Sequence, residues 1–159
     1  MITHERVKQL FTYHNGQLIW NHKRGPRINQ GDIAGSKRDD GYIDITINGK
    51  LYKAHRLIYL YHYDILPEEL DHINGIRYDN RIENLRPATR NQQIYNTKLS
   101  CLNTSGTKGV SYYNRNNKWY GKISINGKVV RKSFIYKCDA INWVNNMRQT
   151  HHGEFANKG

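Results

Sequence analysis

Residues 70–93 read LDHINGIRYDNRIENLRPATRNQQ, and the order of polar side chains in this stretch decides how the rest of the chain is read. Asp71 and His72 stand together at its start. A carboxylate offers an anionic oxygen to a hard cation, and the imidazole beside it takes a proton near neutral pH. Phosphodiester hydrolysis needs both groups. Asn84 follows twelve residues after His72, and Pro87 then turns the chain. Thr89 and Gln92 have the S/T-x-x-E/Q spacing of a capping box, which marks a helix start. The predicted local order is strand, loop, strand, helix, with Gln93 in or near the helix's first turn.

The ordered run Asp71-His72, Asn74-Gly75, Asn80, Asn84-Leu85-Arg86 and Thr89 resembles the HNH nuclease motif, the ββα-metal site of phage and intron homing endonucleases. The resemblance implies that His72 is a general base activating water. It makes Asp71 an oxygen ligand of one divalent ion and Asn84 a positioner that steadies the His72 loop. The ion would stabilise charge on the phosphate and the departing 3′ oxygen. The helix position usually held by His or Asn falls on Gln93, whose amide oxygen lies one methylene further out. Asn91, Gln92 and Asn96 are neighbouring alternatives. One carboxylate, one amide oxygen, waters and phosphate oxygens suit Mg2+ or Mn2+ better than zinc. Of the nearby arginines, Arg86 and Arg90 are the first choice for gripping DNA phosphate, although Arg81 and Arg86 can equally pair with Asp79 or Glu83. Asn74-Gly75 reads as a turn.

The chain has 159 residues, room for one ordinary domain or two small ones. Its 25 Lys and Arg outnumber 13 Asp and Glu, and a net charge of +12 points to a polyanionic partner. Residues 1–100 carry 15 basic and 11 acidic side chains, a net +4, whereas residues 101–159 carry 10 and 2, a net +8. The smaller C-terminal part is therefore expected to be the DNA anchor. Cys101 and Cys138 stand far apart without a paired-Cys motif, which supports neither a zinc ribbon nor a disulfide framework and fits a reducing cytosol. The longest apolar run, around Leu57 to Tyr63, is interrupted by His62, and the N-terminus lacks an apolar signal core. The expectation is a soluble cytoplasmic protein, in the bacterial host if phage-encoded. No Gly-rich phosphate loop, dinucleotide fingerprint or nucleophilic Ser or Cys triad is present.

In chain order, Thr3 caps a short helix to Leu10, and Asn15-Gly16 closes a hairpin over Phe11 to Trp20. Residues 21–40 read as a polar loop with Lys23, Arg24, Arg27, Lys37 and Arg38 available to phosphate or solvent. Tyr42 to Ile47 alternates, with Ile43, Ile45 and Ile47 on one face and Asp44 and Thr46 on the other. Leu51 to Ala54 returns beside it after Asn48-Gly49, and a helix from His55 to Tyr63 ends before Pro67. His55 reads as a buried, hydrogen-bonded structural histidine.

Lys98 to Gly106 reads as a linker. Beyond it, three strands (Val110 to Tyr113, Lys118 to Ile125, Lys128 to Phe134) precede a helix from Lys137 to His151. The Asn126-Gly127 turn sets Ile125 opposite Lys128, Ile123 opposite Val130 and Lys122 opposite Arg131. Trp119, Ile123, Ile125, Val130 and Phe134 then share one face, which Ala140, Ile141, Val144 and Met147 cover. Lys118, Tyr120, Lys122, Ser124, Arg131 and Ser133 share the other, a basic face of a kind that can lie in the major groove. Lys108-Gly109-Val110, Lys118-Trp119, Lys122-Ile123, Phe134, Ala140 and residues 152–156 (HGEFA) resemble the APETALA/ethylene-response-factor type of DNA-binding domain, found in plant transcription factors and fused to phage HNH nucleases. Ser111, Asn116 and Lys132 stand where plant members usually carry Arg, Trp and Gly, so no base specificity is carried over.

The expectation is an α+β chain with an HNH nuclease domain over residues 1–100, its ββα-metal core about 68–100, and a DNA-binding domain over 104–159. The activity expected is divalent-metal-dependent cleavage of double-stranded DNA, of the phage homing type. The alternative is a lapsed HNH protein that only binds DNA. Candidate residues are His72 and Asn84 for catalysis, and Asp71 and Gln93 for the metal. Arg86, Arg90, Arg115, Lys118, Lys122, Ser124 and Arg131 are the candidates for DNA contact. The partner is double-stranded DNA, with no membrane and no small-molecule cofactor, and the protein is a monomer or homodimer.

Overall fold

A computed structural model describes residues 2–156 and divides between Ala88 and Thr89 into two compact units. It is a mixed α+β structure of small antiparallel sheets. No helix among the described residues is long and apolar enough to cross a membrane.

The first unit begins with helix α1 (His4–Leu10), whose first turn is capped by the Thr3 hydroxyl accepting from the Arg6 amide. Strands β1 (Phe11–His14) and β2 (Gln17–Trp20) form the first hairpin. Asn15 and Gly16 at its turn have φ of 42° and 84°, the left-handed pair that a two-residue type I′ turn requires. A three-stranded sheet follows, in the order β3 (Ser36–Lys37), β4 (Ile43–Ile47), β5 (Lys50–Lys53). Helix α2 (Ala54–Tyr63) comes next and stops at Asp64 in the left-handed conformation. Its Leu57, Ile58 and Leu60 join Val7, Leu10, Phe11, Leu18, Trp20, Ile45 and Ile47 in one core. Leu70 and Leu85 extend that core under strands β6 (Leu70–His72) and β7 (Leu85–Pro87). The functional stretch therefore rests on a hydrophobic floor.

Strict alternation does not describe β4. Ile43, Ile45 and Ile47 share a face, yet Asp44 on the other is also buried, because Lys53 Nζ and Arg38 Nη1 lie 3.0 and 3.2 Å from its carboxylate. Burial alone would raise its pKa, and these two cations outweigh that and leave it below the ordinary carboxylate value.

The first hairpin also braces the loop between β6 and β7. Tyr13 Oη accepts a 3.1 Å hydrogen bond from the Ile82 amide. A Cβ on Gly16 would come within 2.8 Å of the Arg81 backbone nitrogen and 3.1 Å of the Asn80 carbonyl carbon. Only glycine lets the turn approach this closely.

The second unit opens with α3 (Arg90–Tyr95). Both halves of its capping box form: Gln92 N donates to Thr89 Oγ1, and Thr89 N donates to Gln92 Oε1 at 2.7 Å. Strands β8 (Val110–Tyr113), β9 (Lys118–Ile125) and β10 (Lys128–Phe134) form a sheet in the order β10-β9-β8, covered on one face by α4 (Lys137–His152). The register across β9 and β10 has the three expected pairs. Ala140 and Val144 are fully buried on the sheet, but the largest side chain from α4 in this cluster is Trp143, which the sequence pattern did not single out. It lies over Gly121, where an added Cβ would meet the indole at 2.5 Å.

The polar stretch from Lys98 to Gly106 lies inside the second unit and is folded by its own side chains. Asn103 Oδ1 accepts from the Gly106 amide, and Ser105 Oγ donates to the Thr107 carbonyl. Lys108 Nζ donates to the carbonyls of Tyr95 and Thr97, as a cation does at a helix C-terminus. Tyr95 stacks on His152 with centroids 3.6 Å apart, and its hydroxyl accepts from the Asn126 amide. These contacts tie α3 to the sheet and α4.

Candidate active site

Strands β6 and β7 pair antiparallel, placing Leu70 opposite Pro87, Asp71 opposite Arg86 and His72 opposite Leu85. The alternation of β6 sends Leu70 and His72 into the protein and leaves Asp71 half-buried. Arg86 Nε and Nη2 both donate to Asp71 Oδ2, at 3.2 and 3.0 Å. This cross-strand pair engages two nitrogens of a guanidinium also expected at phosphate. Arg81 pairs bidentately with Asp79 at 2.8 Å and holds that carboxyl down at about 2.

The loop between the strands has little regular structure, and Asn84 substitutes for it. Asn84 Oδ1 accepts from the Asn74 amide at 3.0 Å, while its Nδ2 donates to Asn74 Oδ1 at 3.1 Å and to the Asp79 carbonyl at 2.7 Å. Asn74 in turn reaches Asp79 and the Ile76 amide. One buried amide thus ties both ends of the loop that leaves His72.

His72 is 4% exposed, and its Nε2 lies 2.9 Å from Oδ1 of Asn80, itself 1% exposed. Burial pushes the His72 pKa below its ordinary value, against the Asn80 hydrogen bond and the Asp71 and Asp79 charges. The shift favours the neutral ring. His55, on the first turn of α2, packs edge-on to His72 with centroids 5.1 Å apart, and Tyr42 lies 5.3 Å from His55 and 6.0 Å from His72. Burial holds His55 down at about 3, with His72 and Arg56 adding to the shift. It is buried as expected, but its Nδ1 makes no hydrogen bond. Arg77 and Lys53 flank the Tyr42 ring at 5.0 and 4.9 Å, and Lys37 lies 3.9 Å from the Tyr78 ring centre.

The first unit thus brings together Asp71, His72, Asn84 and Arg86, with His55, Asn80 and Tyr42 added by the fold. Gln93 and Arg90 sit on α3 in the second unit. There, Lys118, Lys122, Ser124 and Arg131 occupy the sheet face turned away from α4, with Arg115 in the turn before β9. No group of three or more His, Cys, Asp and Glu side chains forms a metal cage among the described residues. A carboxylate oxygen is the donor a hard divalent ion takes, and Oδ2 of Asp71 is engaged by Arg86.

Residues 52–94 match a protein-family model described as HNH endonuclease. Protein 3.8 of Escherichia phage T7 is 31% identical to the chain over 87 residues, covering 55% of this chain and 72% of that protein. No solved structure matches. The matched segment contains β6, β7, His55, His72, Asn80 and Asn84 but not Tyr42, and the chain belongs to the family of phage T7 Protein 3.8 and carries an HNH endonuclease domain.

Proposed function

We propose that this protein is a divalent-metal-dependent endonuclease that hydrolyses phosphodiester bonds of double-stranded DNA, with a homing role in a phage. The observation that carries this reading is the buried His72, hydrogen-bonded through Nε2 to Asn80 and next in sequence to Asp71, within the residues that match the HNH endonuclease model. His72 takes a proton as water forms a new bond to phosphorus and the bond to the 3′ oxygen breaks. Asp71 would hold the ion through a carboxylate oxygen, and Gln93, or Asn91, Gln92 or Asn96 near it in sequence, would be the amide that the HNH resemblance assigns to the same role. When bound, Mg2+ or Mn2+ stabilises charge on the phosphate and the departing oxygen. Arg86 keeps Asp71 in place and meets DNA phosphate together with Arg90. Asn84 steadies the loop rather than touching the substrate.

On the same reading the second unit is an APETALA/ethylene-response-factor-like DNA anchor. Its open face sets Lys118, Lys122, Ser124 and Arg131 on adjacent strands, with exposed Arg115 nearby. Strands of this width and charge can enter the major groove.

The test incubates supercoiled plasmid carrying a candidate site with the protein and Mg2+ or Mn2+, beside His72→Ala and an EDTA control. Nicked or linear product that His72→Ala and EDTA abolish supports the enzyme. Intact DNA binding without product at any site would leave the DNA-binding-only alternative in its place.

A further inference from the structure

Cations on the loops and strands around His72 differ in what holds them. Arg38 and Lys53 pair with Asp44, Arg81 with Asp79 and Arg86 with Asp71. Among the described residues Lys37 and Arg77 form no ion pair and lie on aromatic rings instead. Lys37 Nζ is 3.9 Å from the Tyr78 ring centre, and the Arg77 guanidinium is 5.0 Å from that of Tyr42. We infer that Lys37 and Arg77 form a clamp for duplex DNA in the first unit, holding backbone phosphates that flank the one cut. The inference rests on the proposed nuclease activity and names where the first unit grips its substrate.

Closed turns present both side chains. The Asp79 amide donates to the Ile76 carbonyl at 3.1 Å, which makes Arg77 and Tyr78 the two central residues of a turn, with exposed side chains. They reach the segment from Ser36 to Tyr42, itself closed by the Gly41 amide on the Arg38 carbonyl at 2.9 Å and by the Tyr42 amide on Asp40 Oδ1 at 3.2 Å. Arg77 Nη1 donates to the Asp40 carbonyl at 3.0 Å, so one N–H and one face of the guanidinium fix it there. Its other N–H groups have no acceptor among the described residues, and the Lys37 ammonium keeps all three of its donors. A cation ordered on a ring has already lost much of the side-chain freedom that binding would cost, and a phosphate takes the donors left over. The place follows from Tyr42, whose ring carries Arg77 and lies 6.0 Å from that of His72.

Cation–ring pairs at a surface can also do no more than fasten two segments together, and that role predicts a different result. Binding of duplex DNA by the full chain, measured over a range of salt in EDTA, reads phosphate contacts without metal or cleavage. The variants are Lys37→Gln, Arg77→Gln and the two combined. Arg6→Gln, which removes an exposed cation from α1, controls for net charge. Thermal unfolding of each variant reads what the ring contacts contribute to the fold.

The double variant should lower the salt slope of log affinity by about two and weaken binding about 10- to 100-fold at low salt, while Arg6→Gln leaves the slope unchanged. With Mg2+, its KM for plasmid should rise by a similar factor. Once the nick is mapped, a methylphosphonate at a phosphate flanking it should weaken binding by the wild type and not by the double variant. A wild-type slope in the double variant, an equal drop in Arg6→Gln, or equal sensitivity of both proteins at every flanking phosphate overturns the inference. A lower melting temperature with an unchanged slope assigns the two cations to the fold alone and overturns it too. If the double variant fails to fold, each single variant must lower the slope by about one. If the wild type cuts no DNA, the nuclease reading fails, while the salt slopes still decide whether Lys37 and Arg77 meet DNA.

Discussion

The loop from Ile73 to Asn84 and the sheet face from Lys118 to Ser133 both present polar side chains, but they are held in opposite ways. The loop is fixed by side chains bonding to backbone: Asn74, Asp79 and Asn84 supply the partners that a ladder would otherwise provide. The sheet face is fixed by its ladder, and its side chains are left to solvent. Removing one side chain from the first should displace several others, whereas removing one from the second should subtract only that residue's own interaction.

The largest test of this contrast is Asn84→Ala. It removes the part-buried partner of the Asn74 amide and the Asp79 carbonyl, at a cost of up to about 1–3 kcal/mol for each group that water does not reach. Cleavage should fall about 100-fold, as expected of a roughly 1 Å misplacement near a reacting group, with DNA affinity nearly kept. Thermal unfolding and plasmid nicking measured together check both parts.

Next in size is the pH dependence carried by His55. Its folded pKa of about 3 lies below the ordinary 6.5, so the folded state binds fewer protons than the unfolded one. The stabilisation is complete above pH 6.5 and is lost as pH falls toward 3, with a slope approaching about 1.4 kcal/mol per pH unit. Denaturant midpoints at pH 7, 6 and 5 should decline accordingly, and His55→Leu should flatten the decline.

In the second unit, Gly121→Ala drives a methyl into the Trp143 indole and should destabilise that unit by about 1–3 kcal/mol, read by Trp fluorescence during unfolding. The smallest effect is expected from Lys122→Ala on the open face. It should weaken DNA binding modestly and reduce the salt slope of log affinity by about one, leaving kcat at saturating DNA unchanged. A slope identical to wild type would remove Lys122 from the phosphate contacts.

Local signals carried much of the fold. Asn15-Gly16 and Asn126-Gly127 fixed two hairpins, Thr89 and Gln92 began α3, and alternation placed the β9–β10 pairs where they are found. Features that depend on distant partners were not legible. Asp44 reads as solvent-facing because the pattern contains neither Arg38 nor Lys53 closing on it. Trp143 packs inward only because Gly121, far away in sequence, clears a space. His55 and Asn80 meet His72 through the fold, although Asn80 was already part of the motif. Lys98 to Gly106 has a linker's composition, and composition says nothing of the bonds by which Asn103, Ser105 and Lys108 fold and anchor it.

The Gly16 turn bears on how this nuclease domain can be moved between proteins. The family match begins at residue 52, yet the hairpin supporting Asn80 and Ile82 lies at residues 11–20. A fusion cut at the edges of the match would carry the motif and lose its buttress. Its loop would lose the Tyr13 hydrogen bond and the Gly16 turn, and Asn80 would be held by fewer contacts. The transplantable unit must start upstream of the first hairpin, and a chimaera that includes α1 and both strands should keep a cutting rate that a shorter graft loses.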